Sequence, residues 1–256
     1  MASESAPIRL NKIAEILDSK SYLEIGVQKG LTFNNVNILR KDAVDPKFLF
    51  EYKDIESDLI KFHEIESDLY FERLSRSGPH VDTTEFDLFF IDGLHTYDQT
   101  YRDFCNCLSL SSSKAFFVID DTVPADLYSS LRRQSTCKLR RSREAPNSTI
   151  QEWKGDTYKV ILFIKFFHTN YSYCTVKGGG GPAQTFVWQT SLIEKAMYAN
   201  QPYKISKLSS EVLFEYLGKV NQLDYNWFLD TQEELMQECS VDDFMEWFGN
   251  AVNSKA

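Results

Sequence analysis

Much of what this chain could be is excluded by what it has little of. No run approaches the roughly 20 apolar residues that a membrane span needs, so a soluble protein is expected. Its five cysteines (Cys105, Cys107, Cys137, Cys174 and Cys239) are an odd number without C-x-x-C spacing. The opening MASESAPIRL has no apolar signal core, and together these features point to reduced thiols in a cytoplasm. Cations are scarce, 28 Lys and Arg against 37 Asp and Glu, for a net charge of -9. A nucleic-acid partner relies on clustered Lys and Arg, so DNA and RNA are disfavoured as substrates. Internal repetition is also missing: IESDL recurs at 55–59 and 65–69, but two copies do not build a solenoid. The glycine run 178–181 is not followed by a helix with Lys-Ser/Thr, which reads as a hairpin connection and not a phosphate loop.

What is present suits one α/β domain with a small appendage, since 256 residues with 43% hydrophobic and 14% aromatic content can bury a full core. The chain is organised around Ser21 to Asp45. Tyr22, Leu23 and Ile25 form an apolar run ending in Gly26, a turn leads to Gly30, a helix is expected from Thr32 to Leu39, and a second strand closes on Asp45. Gly26 admits backbone angles closed to other residues, and Gly30 lets the next element pack closely. Asp45, 21 positions after Glu24, falls where a carboxylate can accept both hydroxyls of an adenosine ribose. A pyrophosphate dinucleotide wants G-x-G-x-x-G, but the spacing here is E-x-G-x-x-x-G. Glu24 would repel phosphate and attract an ammonium or sulfonium, which favours S-adenosylmethionine. A ligand-free tight turn is the plain alternative.

Two further strand ends bring titratable groups to the same rim, and a third strand offers a Ser-Asp pair. Ser67 and Asp68 follow a strand expected at Phe62 to Ser67, and serve either as hydrogen-bond partners for adenine or ribose edges or as a helix cap. Phe86 to Ile91 is a wholly apolar run that empties into Asp92-Gly93, with His95 three residues beyond Asp92. Ala115 to Ile119 repeats the pattern and ends in Asp120-Asp121. Ligands of open parallel sheets sit beyond the carboxyl ends of the strands, so Glu24, Asp45, Asp92, His95, Asp120 and Asp121 should face one crevice. Any one of these acids alone would be read as a cap or a solvated loop residue.

Elsewhere, Pro7 opens an amphipathic helix with Leu10, Ile13, Ala14 and Leu17 on one stripe, and a second helical stripe runs through Tyr97, Tyr101, Phe104, Cys105 and Leu108. Residues 122–152 read as irregular apart from a short helix at Leu127 to Leu131. Their cluster Arg132, Arg133, Lys138, Arg140, Arg141 and Arg143 is either a solvated loop or a lid for an anion. Trp153 reads as a staple or pocket wall, and Gly155-Asp156 opens a helix. From 190 on the pattern becomes helical and aromatic, with a cap at Ser209 or Ser210 and a capping box at Thr231 and Glu234. The expected domains are therefore 1–190 and a helical extension, 191–256, which could supply a face for a homo-oligomer.

The segments YLEIGVQKGLTF (22–33), AVDP (43–46), FDLFFIDGLHTYDQTYRDF (86–104), FFVIDDTVP (116–124) and WKGDTYKV (153–160) together resemble the class I S-adenosylmethionine-dependent methyltransferases, in particular the small-molecule and sugar O-methyltransferases. The resemblance implies a Rossmann-like, doubly wound, seven-stranded sheet, mostly parallel with an antiparallel last strand, and a cofactor held by Glu24, Gly26, Gly30 and Asp45. It also implies a divalent ion, usually magnesium, on the acids matching Asp92, Asp120 and Asp121. Such an ion could bind adjacent hydroxyls of a small-molecule acceptor and lower the pKa of one. His95, with an ordinary pKa near 6.5, is the expected base, and Asp92 orients the acceptor. His63, His80 and His168 have no comparable setting. Two other readings are a nicotinamide oxidoreductase, opposed by the missing glycine and by Glu24, and a non-catalytic module on the same fold.

Overall fold

The computed structural model describes residues 5–76, 85–193 and 200–254, so His80 lies outside the described residues. Helix α1 (Ser5–Leu17) precedes β1 (Ser21–Ile25), β2 (Arg40–Asp45), β3 (Ile60–Glu64), α2 (Ser67–Arg76), β4 (Phe86–Ile91), α3 (Tyr97–Leu108) and β5 (Ser111–Ile119). Then follow α4 (Gln134–Glu144), α5 (Val160–Phe167), β6 (Tyr171–Gly178), β7 (Gly181–Gln189), α6 (Ser210–Gly218), α7 (Tyr225–Met236), β8 (Glu238–Ser240) and α8 (Val241–Asn253). All eight strands form one sheet in the order β3-β2-β1-β4-β5-β7-β6-β8. β7 runs antiparallel to both of its neighbours, and every other pairing is parallel. From β1 the chain winds outward to β3 on one side and returns to β4 on the other. The ends of β1 and β4 therefore flank the switch point where such sheets open a crevice.

The expected mostly parallel α/β sheet with an antiparallel last strand is present, with one strand more than the seven anticipated. The eighth, β8, pairs parallel to β6 through Thr175 to Lys177. Its three residues are too short for a period-two pattern to register. Helices cover both faces. On one face α1 and α8 meet the sheet, and Phe244, Trp247 and Phe248 pack around Phe116, Phe186 and Trp188. Each such fully buried aromatic stabilises the fold by roughly 2–3 kcal/mol. On the other face α3, through Phe104, and α5 cover Phe89 and Phe117, with α6 and α7 packed outside α5. Of the tail aromatics, Phe228, Phe244, Trp247 and Phe248 are buried within the chain, while Phe214 is 69% exposed.

Several local expectations need correction. No α-helix spans Thr32 to Leu39. Only a short 3-10 turn, Phe33–Asn35, forms there, and Val36 is already extended. Asn34, Asn35 and Asn37 offer the backbone competing hydrogen bonds, as when Asn35 Nδ2 donates to the Leu31 carbonyl at 2.8 Å. The helix after β5 is α4 and not Leu127 to Leu131. It escaped notice because its only buried side chains are Cys137 and Arg141, which leave no apolar stripe. Thr231 lies inside α7, where its hydroxyl donates to the Trp227 carbonyl, and the true cap is Asp224, which accepts from the Trp227 amide at 3.0 Å. Ser209 does cap α6, accepting from the Val212 amide. Trp153 is not a staple: its Nε1 donates to the Leu131 carbonyl at 2.6 Å and its ring lies on His95.

Candidate functional site

One cavity of about 740 Å³ opens at the carboxyl ends of β1, β2, β4 and β5. Gly26, Asp45, Ser67, Asp68, Asp92, His95, Asp120 and Asp121 all line it. The turn after β1 forms its floor. Gly26 has φ 87°, and a Cβ there would stand 1.9 Å from the Asp92 carbonyl oxygen, so only glycine lets the two strand ends approach this closely. Gly30 (φ 69°) lies off the cavity, and a Cβ on it would fall 2.8 Å from the Phe50 ring.

Asp45 is held rigidly: Oδ2 accepts from the Gln28 amide at 2.8 Å and Oδ1 from the Lys47 amide at 2.7 Å. Two amide bonds keep the carboxylate aimed while each oxygen retains a further lone pair. Ser67 and Asp68 begin α2, and Asp68 Oδ1 lies 3.0 Å from Gln99 Nε2 and 3.2 Å from Arg102 Nε. Glu24, by contrast, is buried behind the wall, where it accepts from the Tyr22 hydroxyl at 2.6 Å. Burial pushes its carboxyl well above the usual range, with the charges of Asp92 and Asp45 adding to the shift and the Tyr22 bond and Lys41 opposing it. There its carboxyl bonds to Tyr22 and is not among the groups that line the cavity.

The reactive end of the cavity is a knot of acids around one imidazole. His95 Nδ1 lies 2.9 Å from both Asp121 Oδ2 and the Trp153 carbonyl, and Nε2 lies 3.5 Å from Asp92 Oδ1. Its ring stacks on Trp153 with centroids 4.9 Å apart. Gly155 (φ 58°) makes this possible, because a Cβ there would stand 1.7 Å from the His95 carbonyl. Burial disfavours the charged ring, but hydrogen bonds to Asp121 and Asp92 and their negative charges outweigh it and push the pKa up to about 11. The expectation of a base poised near 6.5 is thus altered by the carboxylates around it. Burial and the Asp121 charge push Asp92 up to about 6 against the pull of His95. Burial, then Asp92 and Asp121, drive Asp120 well above the usual range. Lys154 Nζ, 3.7 Å from Asp121 Oδ1, is a further cation that the sequence reading did not anticipate.

Ligand atoms of Asp92, His95 and Asp121 lie within 4.8 Å of one another. Asp120, expected among the metal acids, lines the cavity but stands outside that set, and His95 takes its place. The basic cluster does not line the cavity: Arg132 reaches Asp98 and Asp156, Arg140 reaches Glu144, and Arg141 reaches Asp126. His63 pairs with Asp42 and His168 meets Tyr101, both away from the cavity.

Residues 23–122 match the family model Methyltransf_24, described as a methyltransferase domain. No curated protein sequence matches the chain. Among solved structures, the fold is similar to an O-methyltransferase from Bacillus cereus in complex with SAH, with 14% identity, a TM-score of 0.50, and coverage of 74% of this chain and 82% of that one. It is also similar to a putative caffeoyl-CoA O-methyltransferase from Staphylococcus aureus, with 11% identity, a TM-score of 0.51, and coverage of 74% and 85%. At these identities the likeness is one of fold. Residues 23–122 thus carry a methyltransferase-domain match, and the strand order and solved structures give the chain a class I methyltransferase fold, O-methyltransferase-like in its neighbours. Among the described residues no helix is long and apolar enough to cross a membrane.

Proposed function

We propose that the protein transfers the methyl group of S-adenosylmethionine to a hydroxyl of a neutral small molecule, a sugar or natural product carrying adjacent hydroxyls, with help from a divalent cation such as magnesium. The observation that carries this reading is that a single cavity joins a ribose-competent carboxylate, Asp45, to the Asp92, His95 and Asp121 knot. Asp45, fixed by its two amides, accepts the ribose hydroxyls. Ser67 and Asp68 meet the base, and Gly26 lets the amino-acid tail lie on bare backbone. The acids of the rim favour the sulfonium charge and disfavour an anionic acceptor.

The two carboxylates fit a divalent cation: oxygens of Asp92 and Asp121 converge beside His95, in a pocket where the acids repel one another. When bound, such an ion supplies positive charge that engages Asp92 and Asp121 and lowers the pKa of an acceptor hydroxyl. Asp121 and Asp92 favour the charged form of His95, whose ring N–H can donate a hydrogen bond that aligns the acceptor oxygen. Were a bound cation to draw those carboxylates away, the ring would release its proton to solvent and, as a neutral imidazole, accept the acceptor's proton. Trp153 holds the ring plane, and Asp92 fixes the acceptor for in-line displacement at the methyl carbon.

Calorimetry of the wild-type protein with S-adenosylhomocysteine and with NADH, each with and without magnesium, tests the reading. S-adenosylhomocysteine should bind and Asp45→Ala should weaken it by roughly 1–3 kcal/mol, the cost of losing hydrogen bonds to a charged group. NADH binding in its place would put the protein in another reaction class.

A further inference from the structure

Gln99 and Asp103 take no part in the chemistry above, yet they stand one helical turn apart on α3 beside the wall that Ser67 and Asp68 form. Gln99 lines the cavity. Its Nε2 lies 3.0 Å from Asp68 Oδ1, 3.1 Å from Asp103 Oδ1 and 3.3 Å from Ser67 Oγ. Its Oε1 accepts from Arg102 at 2.7 Å, which fixes the sense of the amide and turns the NH2 end toward the acids. Arg102 also reaches Asp68 Oδ1 through Nε. Asp103 is 1% exposed and lies against the turn after β4, where a Cβ on Gly93 would be 3.4 Å from Oδ2. Burying a carboxylate there is costly, and burial pushes its pKa up to about 6 against the bonds from Ser67 and Gln99. A hydrophobic residue would pack α3 at less cost, but it could not orient Gln99.

We infer that Asp103 and Gln99 are a positioning pair that aims Ser67 and Asp68 at the nucleoside base and makes the site select a 6-aminopurine over a 6-oxopurine. The inference rests on reading the cavity as the S-adenosylmethionine site. An ionised Asp68 accepts hydrogen bonds and cannot donate them. The exocyclic amino group of a 6-aminopurine offers it an N–H, whereas a 6-oxo group brings a second acceptor against it. With Oδ1 engaged by Gln99 and Arg102, Oδ2 is the oxygen left for the base. A polar site that must leave a group unpaired rejects the wrong ligand strongly, while a loosely held carboxylate swings aside and tolerates both.

The test is calorimetry of the full chain with S-adenosylhomocysteine and its 6-oxo analogue, S-inosylhomocysteine, for wild type, Gln99→Leu, Asp103→Leu and Asp103→Asn, with thermal melts to confirm folding. Wild type should favour the 6-amino ligand by roughly tenfold or more, and Gln99→Leu and Asp103→Leu should bring the ratio to about threefold or less. Asp103→Asn keeps the Oδ1 acceptor for Gln99 and should keep the wild-type ratio. The inference is overturned by a wild type that binds both ligands equally, or by a Gln99→Leu protein that retains the ratio. The cofactor reading itself fails only if wild type binds neither nucleoside.

Discussion

Strand β4 carries an aspartate near each end, and the two have opposite surroundings. Asp87, at the start, is fully partnered: the Lys20 amide donates to Oδ2 at 2.7 Å, the Ser112 hydroxyl to Oδ1 at 2.7 Å, and Lys114 Nζ lies 3.6 Å away. Asp92, just past the other end, faces Asp121 and Asp120 across a cavity and has one imidazole to share with them. One end of the sheet has its charges settled by the fold. The other keeps carboxylates in mutual repulsion, a state that a ligand cation relieves, and unsettled charge of this kind marks functional sites. Position along the chain alone would not have told them apart, because both acids stand near the ends of the same apolar strand.

The largest expected effects come from exchanging the fates of those two acids. Asp92→Asn or His95→Ala should lower methyl transfer to the best acceptor from a panel of vicinal diols by about 10²–10⁴-fold. His95→Ala should lower the melting temperature of the free protein by leaving Asp92 and Asp121 without their shared imidazole, whereas Asp92→Asn should not, because it removes a like-charge contact with Asp121. Asp87→Ala should do the reverse, destabilising by about 3–5 kcal/mol because its donors lose a buried partner, with turnover of the folded fraction retained. If Asp92→Asn melts earlier and keeps its turnover, the contrast between the two ends is wrong.

Next in size is the scaffold that presses Trp153 onto His95. Gly155→Ala must either break the φ of 58° or push the His95 carbonyl away, so the stacked pair has to separate. A stability loss of about 1–3 kcal/mol and a turnover loss of about 10²-fold are expected, the latter because a small misplacement near the reacting groups is costly. Trp153 fluorescence should shift as well, and an unchanged spectrum with unchanged turnover would remove Trp153 from the positioning of His95.

A smaller, pH-dependent effect separates the buried acids from the paired ones. Asp103 has its pKa raised from the ordinary 3.8 to about 6, mainly by burial. Between those values the folded form holds a proton that the unfolded form has lost, so stability is greatest below 3.8 and falls as pH rises through about 6. The loss by neutral pH is of the order of 2–3 kcal/mol. Asp103→Asn should therefore be more stable than wild type at pH 7.5 and lose most of that advantage at pH 4, as urea unfolding at the two pH values would reveal. A constant difference between the proteins would assign the shift to another group.

What the sequence could reveal follows from the same division. Strands buried on both faces announce themselves as apolar runs, and Phe86 to Ile91 and Ala115 to Ile119 ended where their acids were expected. Asp45, Asp92, His95, Asp120 and Asp121 could be assigned to one rim because strand ends in a parallel sheet share an edge, and Ser67 and Asp68, legible only as base partners or a helix cap, line it as well. Distances were not legible. Glu24 sits in β1 two residues from Tyr22, a spacing that puts both on one face of the strand but does not tell that this face lies behind the cavity wall. That His95 rather than Asp120 joins Asp92 and Asp121 depends on Trp153 and Gly155, about sixty positions away, and only tertiary packing brings them there. Helix α4 was invisible for a related reason: its packing is polar, with Arg141 where an apolar residue would be expected.

Within α4, two adjacent arginines give the finest version of the comparison. Arg140 makes a two-pronged bond to Glu144 on an open helix face, while Arg141 is buried and binds Asp126 at 2.8 Å and the Glu152 carbonyl at 2.9 Å. An exposed i,i+4 pair exchanges solvent contacts for protein contacts of nearly equal worth, so Arg140→Ala should leave the melting temperature unchanged. Arg141→Met strips Asp126 of its cation, leaving it the Ser129 amide, and releases the segment that leads into Trp153, and a loss of about 2 kcal/mol is expected, smaller than for Asp87→Ala. Because that segment carries Trp153 and Gly155 against His95, Arg141→Met should also lower turnover, by less than Gly155→Ala does. Equal melting temperatures for the two arginine variants would mean that the segment is held by its glycine and tryptophan alone.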